Sequence, residues 1–490
     1  MRCDLPWPMA ILLAGLMLSG PAHAQPDTLP PPRKLEAPEA RDDGYRPIDL
    51  PTALRLAGVA NPQIQIARQR VLEAVALRQY AAAQFLPTIN VGSSLDHHLG
   101  PIQESNGTIL KVNRDSLYVG LGASAVGAGT VTVPGVVWSG NVSDVWYGAL
   151  VTRQVVRQRA FESEAIRNAT LLQVATAYLE LLRGAGRQAV AGLLLNDARE
   201  VARVTANFAK TGQGRQADAD RAAVEYEQRK SDVIQAQNDV QLASARLCQL
   251  LSLDPSVALL PMERQVIPSG LVPEPIPLPE LLAIAITQRP ELRQQQAAVR
   301  AAMLELQHAK VLPFSPQVLL GYSSGAFGGG SDLATQQPRF GSFAAREDFD
   351  VVLYWSLRNL GVGNVALIRL TRSQLRQNQL RELETLDRVR VEVASAQARV
   401  LARFAQIETN ERAVKSSESA FKEDLLRTRN NVGLPIEVLD SLRLSGRSRY
   451  AYLDAIVDYN HAQFELYVAL GQPPADTLAR PVPAVEKSND

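Results

Sequence analysis

Apolar residues recur along much of this chain at alternating steps of four and three. Leu171, Ala175, Tyr178, Leu182, Ala185 and Ala189 follow the pattern, as do Leu386, Val389, Val393, Ala396 and Val400. Gly446, Tyr450, Leu453, Val457, Asn460, Phe464 and Tyr467 follow it again. Such stepping predicts helices with a narrow seam that packs knobs into holes. Many seam positions are Ala or Gly, so neighbouring helices can approach closely. The stretch from Gly363 to Asn431 has no breaker. At ~1.5 Å per residue it predicts roughly 100 Å of helix, far longer than a globular domain needs.

Two other stretches change period. In "DFDVVLYWSL" (348–357), Asp348, Asp350, Val352, Tyr354 and Ser356 alternate with Phe349, Val351, Leu353, Trp355 and Leu357. In "LPTINVGSSL" (86–95), Thr88, Asn90, Gly92 and Ser94 alternate with Ile89, Val91, Ser93 and Leu95. About ten residues, apolar on one face and polar on the other, match an outer-membrane strand, and equally a strand of a soluble sandwich. The Gly-rich runs at 100–107 and 325–332 read as surface loops joining strand pairs. Between 110 and 138 the pattern accommodates one strand or two.

The chain repeats itself. Asn61-Pro62 and Arg289-Pro290 each open a helix that ends on Leu-Pro, at 86–87 and 312–313. Gly-Asn-Val occurs at 140–142 and at 363–365, and Gly212 and Gly433 each break a long helix. These landmarks keep their order at nearly constant separation, which predicts an internal duplication. Each unit is a helix, a β hairpin, a very long helix, a Gly break and a returning helix. The boundaries are a first repeat at 48–253, a Pro-rich linker at 254–279 and a second repeat at 280–470.

The N-terminus places an apolar core, Met9 to Leu18, ahead of Ala22-His-Ala24, which fits a secretory signal over 1–24. Cys3 lies upstream of that core, so no N-terminal lipid is expected. A flexible leader (25–47) and a disordered tail (471–490) are Pro-rich and polar. No later apolar run reaches the ~18 residues of a membrane helix. The 51 basic and 50 acidic residues leave a net charge of +1, which excludes the basic surplus of a nucleic-acid binder. Two Cys, Cys3 and Cys248, exclude a disulfide framework.

Signals for chemistry are sparse. Gly321-Tyr-Ser323-Ser-Gly325 matches G-x-S-x-G, but the helix a nucleophile elbow needs does not follow. His97-His98 has no further ligands near it in sequence and reads as a loop pair. Cys248 reads as a small packed residue. No catalytic residue, metal site or cofactor is expected.

If the strands enter lipid they cannot keep open edges. Four per chain are too few for the smallest common barrel of about eight strands, so copies must combine. The helices would then surround the same axis. The fold class that follows is mainly α with membrane β: coiled-coil-like helices forming an α-barrel, plus four strands per chain contributing to a shared β-barrel. A dimer and a trimer are both compatible with the strand count. The competing reading is a periplasmic adaptor or coiled-coil structural protein with no membrane barrel.

The duplicated plan, the "NP…LP" and "RPEL…LP" openings and the turn Val432-Gly433-Leu434 resemble the TolC-like outer-membrane efflux proteins, over nearly all of the mature chain. The resemblance implies a homotrimer in the outer membrane with a large periplasmic part. It implies docking on a periplasmic adaptor driven by an inner-membrane pump of RND, ABC or MFS type, for efflux or type I secretion. It places adaptor docking at Val432, Gly433 and Leu434, and at Gly212 in the first half. Pro435 suits the first turn of the returning helix, and Gly433 would supply a left-handed helix end. It also makes Glu437 and Asp440 an acidic ring at the entrance, with Glu replacing the family's first Asp. The plainer reading is that acids in a first helical turn complement the helix dipole. That plainer reading holds for Asp218 and Asp220 in the first half.

Overall fold

The computed structural model describes residues 45–123, 133–263, 265–272, 276–333, 343–430 and 432–474. The expected signal segment, nearly all of the leader and most of the tail lie outside them.

The two halves repeat one order of elements at nearly equal lengths. Helix α1 (Leu50–Ala60) and helix α5 (Leu278–Gln288) have 11 residues each. Helix α2 (Pro62–Ala83) and helix α6 (Pro290–Val311) have 22 each. The long helices α3 (Val142–Lys210) and α7 (Val362–Arg429) have 69 and 68. The returning helices α4 (Gln216–Leu251) and α8 (Pro435–Ala469) have 36 and 35. Pro62 and Pro290 stand at first helical positions, where a missing N–H costs nothing. Asn61 also caps α2 by accepting from Gln63 N–H at 2.9 Å.

The heptad seam is where the helices meet. Val389, Val393, Ala396 and Val400 of α7 are buried, and so are Gly446, Leu453, Val457, Asn460 and Phe464 of α8. In α3 the seam holds through Leu182 and then shifts. Ala189 is exposed, and Gly184, Ala191, Leu194, Ala198 and Val201 are buried instead. A helix of 3.6 residues per turn drifts off a strict heptad, and over 69 residues the drift forces a change of phase. One core gathers α3, α4 and α8 around Leu171–Leu182, with Cys248 fully buried inside it. A second joins α5, α7 and α8, and a third closes the far end, where Leu194, Ala222, Phe421 and Leu442 meet.

The linker is not structureless. Its strand β7 (Ala258–Pro261) pairs in parallel with β1 (Tyr45–Ile48), which ends the leader. Ile48 and Leu259 enter the first core from this pair.

The other strands form one sheet at the opposite end from the helical turns. They are β2 (Thr88–Ile89), β3 (Val91–Gln103), β4 (Ile109–Ala123), β5 (Val133–Pro134), β6 (Val136–Asn141), β8 (Gln317–Ser331) and β9 (Ala344–Tyr354). β3 pairs with β4, and β9 pairs with β8. Along its other side β8 pairs first with β6 and then with β4. Within the ambiguous stretch from 110 to 138, of which 124–132 lie outside the described residues, β4 and β6 follow one path beside β8. β4 leaves the sheet, β5 folds back on it, and β6 resumes the same course towards α3.

Two expectations are corrected here. The Gly-rich runs are largely strand: β8 reaches Ser331 and β3 reaches Gln103, so the first loop shrinks to about Glu104–Thr108. The glycines serve close approach. A Cβ on Gly120 would come within 2.5 Å of Gly325 Cα across the strands, and one on Gly325 within 2.8 Å of the buried Tyr118 ring. His97 and His98 also lie in a strand, on opposite faces. His97 meets Asp115 at 2.5 Å, and His98 stands opposite Arg114. No group of three or more His, Cys, Asp or Glu able to hold a metal occurs among the described residues. The G-x-S-x-G match runs straight through β8.

The cross-strand register sorts the side chains by polarity. Leu95 faces Leu117, Phe349 faces Tyr322, Val351 faces Leu320 and Leu353 faces Val318 on one side. On the other, Asp96 faces Ser116, Asp348 faces Ser323 and Asp350 faces Gly321. Arg346 and Asp348 pair at 2.8 Å on that polar side.

Candidate functional site

The predicted residues converge at the end of the helices farthest from the sheet. Helix α3 stops in a Schellman turn: Gln213 N–H donates to Phe208 O at 3.0 Å, and Gly212 N–H to Ala209 O at 3.3 Å. Gly212 sits at φ +74°, where a Cβ would be strained. Helix α7 ends on a bond of the same span, with Val432 N–H donating to Arg427 O at 2.9 Å.

These bonds correct the pairing of the two turns. Gly433 N–H donates to Arg427 O at 3.1 Å, and Gly214 N–H donates to Phe208 O at 2.9 Å. Gly433 precedes the N-cap Leu434, and Gly214 precedes the N-cap Arg215. The counterpart of Gly433 is therefore Gly214, not Gly212. Gly433 is also not left-handed, since the positive-φ glycines do not include it. Its task is contact: a Cβ there would meet Arg427 Cβ at 3.0 Å and Thr428 N at 3.1 Å. One on Gly214 would meet Phe208 Cβ at 3.0 Å and Ala209 N at 3.4 Å. Spacing alone favoured Gly212 because it looks like the helix breaker. The reference point that finds Gly214 is the start of the returning helix.

The two turns stand side by side around a cavity of about 690 Å³, lined by Gly212, Arg215, Val432, Gly433, Leu434 and Ile436 among others. Val432 is 73% exposed and Leu434 61%. Glu437 reaches back to accept from Leu434 N–H at 3.2 Å, half of a capping box. Asp440 lies one turn further on, exposed. In the corrected register Asp218 matches Glu437, and Arg221 stands where the second half has Asp440. Arg221 pairs with Asp218 at 3.0 Å, so the acidic pair belongs to the second half alone.

Behind the turns, ion pairs tie the two helical hairpins together; sequence reasoning missed all of them. Glu225 of α4 is buried and holds Arg229 at 2.5 Å and Arg443 of α8 at 2.8 Å. Burial pushes its pKa up, but the hydrogen bonds from Arg443 and Arg229 outweigh this and keep it below the usual value. Glu200 of α3 takes Arg203 at 2.7 Å and Arg429 of α7 at 2.6 Å. The Arg203 bond foremost, aided by Arg429 and opposed by burial, pulls its carboxyl down to about 2. Arg449 of α8 reaches Glu418 of α7 at 3.0 Å and Asp197 of α3 at 3.5 Å. The turns are thus borne on a braced four-helix end.

No protein-family model matches the chain, and no curated protein matches it in sequence. Solved structures match over most of its length. The outer-membrane channel OprN aligns at 19% identity and TM-score 0.71, over 90% of this chain and 98% of its own. The CmeC outer-membrane channel of Campylobacter jejuni aligns at 12% identity and TM-score 0.70, over 88% of both chains. The MtrE outer-membrane channel of Neisseria gonorrhoeae, solved in its open state, aligns at 18% and 0.65, over 86% and 89%. At these identities the likeness speaks to architecture: the chain has the fold of the TolC-like outer-membrane channels.

Proposed function

We propose that the chain is the outer-membrane duct of a tripartite efflux or type I secretion system. The observation that carries the reading is the sheet with two open edges set on helices of 69 and 68 residues. Among the described residues β3 and β9 each pair on one side only, and lipid does not tolerate such edges. Copies of the chain close the sheet by joining β9 of one to β3 of the next, and a trimer is the assembly that the resemblance to the TolC-like proteins implies. The apolar face of the sheet then meets lipid and the polar face lines a water-filled passage. The helices continue that passage for roughly 100 Å across the periplasm.

The duct does no chemistry. Its energy comes from an inner-membrane pump of RND, ABC or MFS type, and the cargo is chosen there. The adaptor docks on the exposed turn Val432-Gly433-Leu434, with Gly212 and its neighbours beside it. Glu437 and Asp440 bias the entrance towards cations.

Heat-modifiable migration of the protein from outer-membrane fractions, with ion conductance of the purified protein in planar bilayers, tests this reading. A lone subunit that never enters lipid overturns it.

A further inference from the structure

The apolar face of the sheet is not flat. Near the helices it carries a groove of about 480 Å³, walled by Phe85, Val136, Trp138, Leu320, Tyr322 and Phe349. The register sets the strand residues on one face: Val136 opposite Tyr322, Trp138 opposite Leu320, and Phe349 opposite Tyr322. Phe349 is 71% exposed, Phe85 49% and Leu320 39%, so much of this apolar surface is bare. The indole N–H of Trp138 donates to Gln84 O at 2.8 Å, so the ring is fixed at the groove wall.

Position decides the occupant. At this level the strands run β2, β6, β8, β9, and the groove is centred on the inner pair. A second copy that closes the sheet pairs with an edge and does not cover the middle. What covers it is the medium that meets the apolar face. The level along the strands is also marked. Trp138 ties β6 to the end of α2, and Trp355, just past β9, donates to Phe314 O at 3.2 Å beyond α6. Indoles pinned where strands meet helices mark a membrane–water boundary.

We propose that this groove is a binding site for one acyl chain of a phospholipid in the periplasmic leaflet. Its volume falls in the range of ~300–1,000 Å³ of small-molecule sites. The inference rests on the outer-membrane reading and goes beyond it, because it predicts a discrete lipid site on the outer wall.

The test uses the full-length protein with single reporter tryptophans. In detergent micelles, phosphatidylcholine with a dibrominated acyl chain is titrated into the Trp7→Phe, Trp146→Phe, Trp355→Phe triple variant, which keeps Trp138 alone. Quenching of Trp138 is expected to saturate near one lipid per chain. Val136→Phe and Leu320→Phe, which fill the groove from two walls, are expected to weaken it several-fold while the helical circular-dichroism signal is kept. Quenching that rises without saturation, or that neither filling variant changes, overturns the site. In vesicles of the same brominated lipid, the Trp7→Phe, Trp138→Phe, Trp146→Phe variant, which keeps Trp355 alone, reports on the membrane reading separately. If Trp355 is quenched there while Trp138 in micelles shows no saturation, the groove alone fails. If Trp355 stays unquenched in vesicles, the membrane reading fails and the groove with it.

Discussion

Arg443 of α8 closes on Glu225 of α4 at 2.8 Å, and it joins a helix of one repeat to a helix of the other. Glu225 is only 4% exposed, while Arg443 is 59% exposed. Losing the buried partner therefore differs from losing the exposed one. Glu225→Ala strips the buried carboxylate from Arg229, 14% exposed, which keeps Asp232 at 2.9 Å, and is expected to cost about 2 kcal/mol. Arg443→Ala leaves Glu225 still held by Arg229 and is expected to cost about 1 kcal/mol or less. Denaturant unfolding of the purified protein, followed by helical circular dichroism, checks the order.

The glycines of the helical end separate by mechanism. Gly433→Ala and Gly214→Ala press a Cβ onto the end of the preceding helix at 3.0 Å and are expected to destabilise by about 1–3 kcal/mol. Gly212→Ala is strained by its φ of +74° although nothing lies within 4 Å; about 1 kcal/mol is expected. Gly192, in mid-helix with nothing within 4 Å, behaves oppositely: Gly192→Ala is expected to stabilise by about 0.5–1 kcal/mol. The four melting temperatures, measured side by side, test the assignment. Binding of a purified adaptor should fall for Gly433→Ala and stay unchanged for Gly192→Ala.

Replacing Glu437 and Asp440 together by Ala removes the acidic pair of the second half. Single channels in planar bilayers are expected to lose several-fold in cation-over-anion preference and to lose block by multivalent cations. Unchanged selectivity would leave Glu437 with its capping bond alone. Removing the positive charge with Arg221→Ala is expected to move the preference the other way.

Glu200 gives a pH signature. Its carboxyl drops from an ordinary 4.5 to about 2 in the folded chain. A depressed carboxylate contributes stability above its unfolded pKa and loses it as pH falls through the folded one. The tether from Arg429 to Glu200 should therefore be complete at neutral pH and fade between about 4.5 and 2. Hydrogen exchange of the amides around Thr428 is expected to quicken in Glu200→Gln at pH 7. The unmodified protein should show the same quickening only in acid.

Periodicity made the helices and their seams legible, because burial on one stripe leaves a record in every turn. Leu453, Val457 and Phe464 could be read as core from spacing alone. The phase change in α3 after Leu182 could not, since it depends on which neighbour the helix meets at that height. Glycine misled in both directions. The run at 325–332 looks like a loop, yet Gly325 is in a strand because the Tyr118 ring lies against it. Gly212 was found as a helix breaker, but Gly214 was missed because its reason is contact rather than backbone freedom. The acids Glu437 and Asp440 were visible as a spaced pair. Arg443–Glu225 and Arg429–Glu200 were not, because their partners lie far apart in sequence with no local signature.

In the proposed duct, the single-sided pairing of β3 and β9 among the described residues makes each subunit a link with two ends. A chain whose β9 edge is spoiled, for instance by proline at Val351, still offers a sound β3 edge. It can therefore enter a growing ring and prevent its completion. Such a variant, co-expressed with the normal chain, would poison assemblies out of proportion to its share, and the loss of function would be dominant.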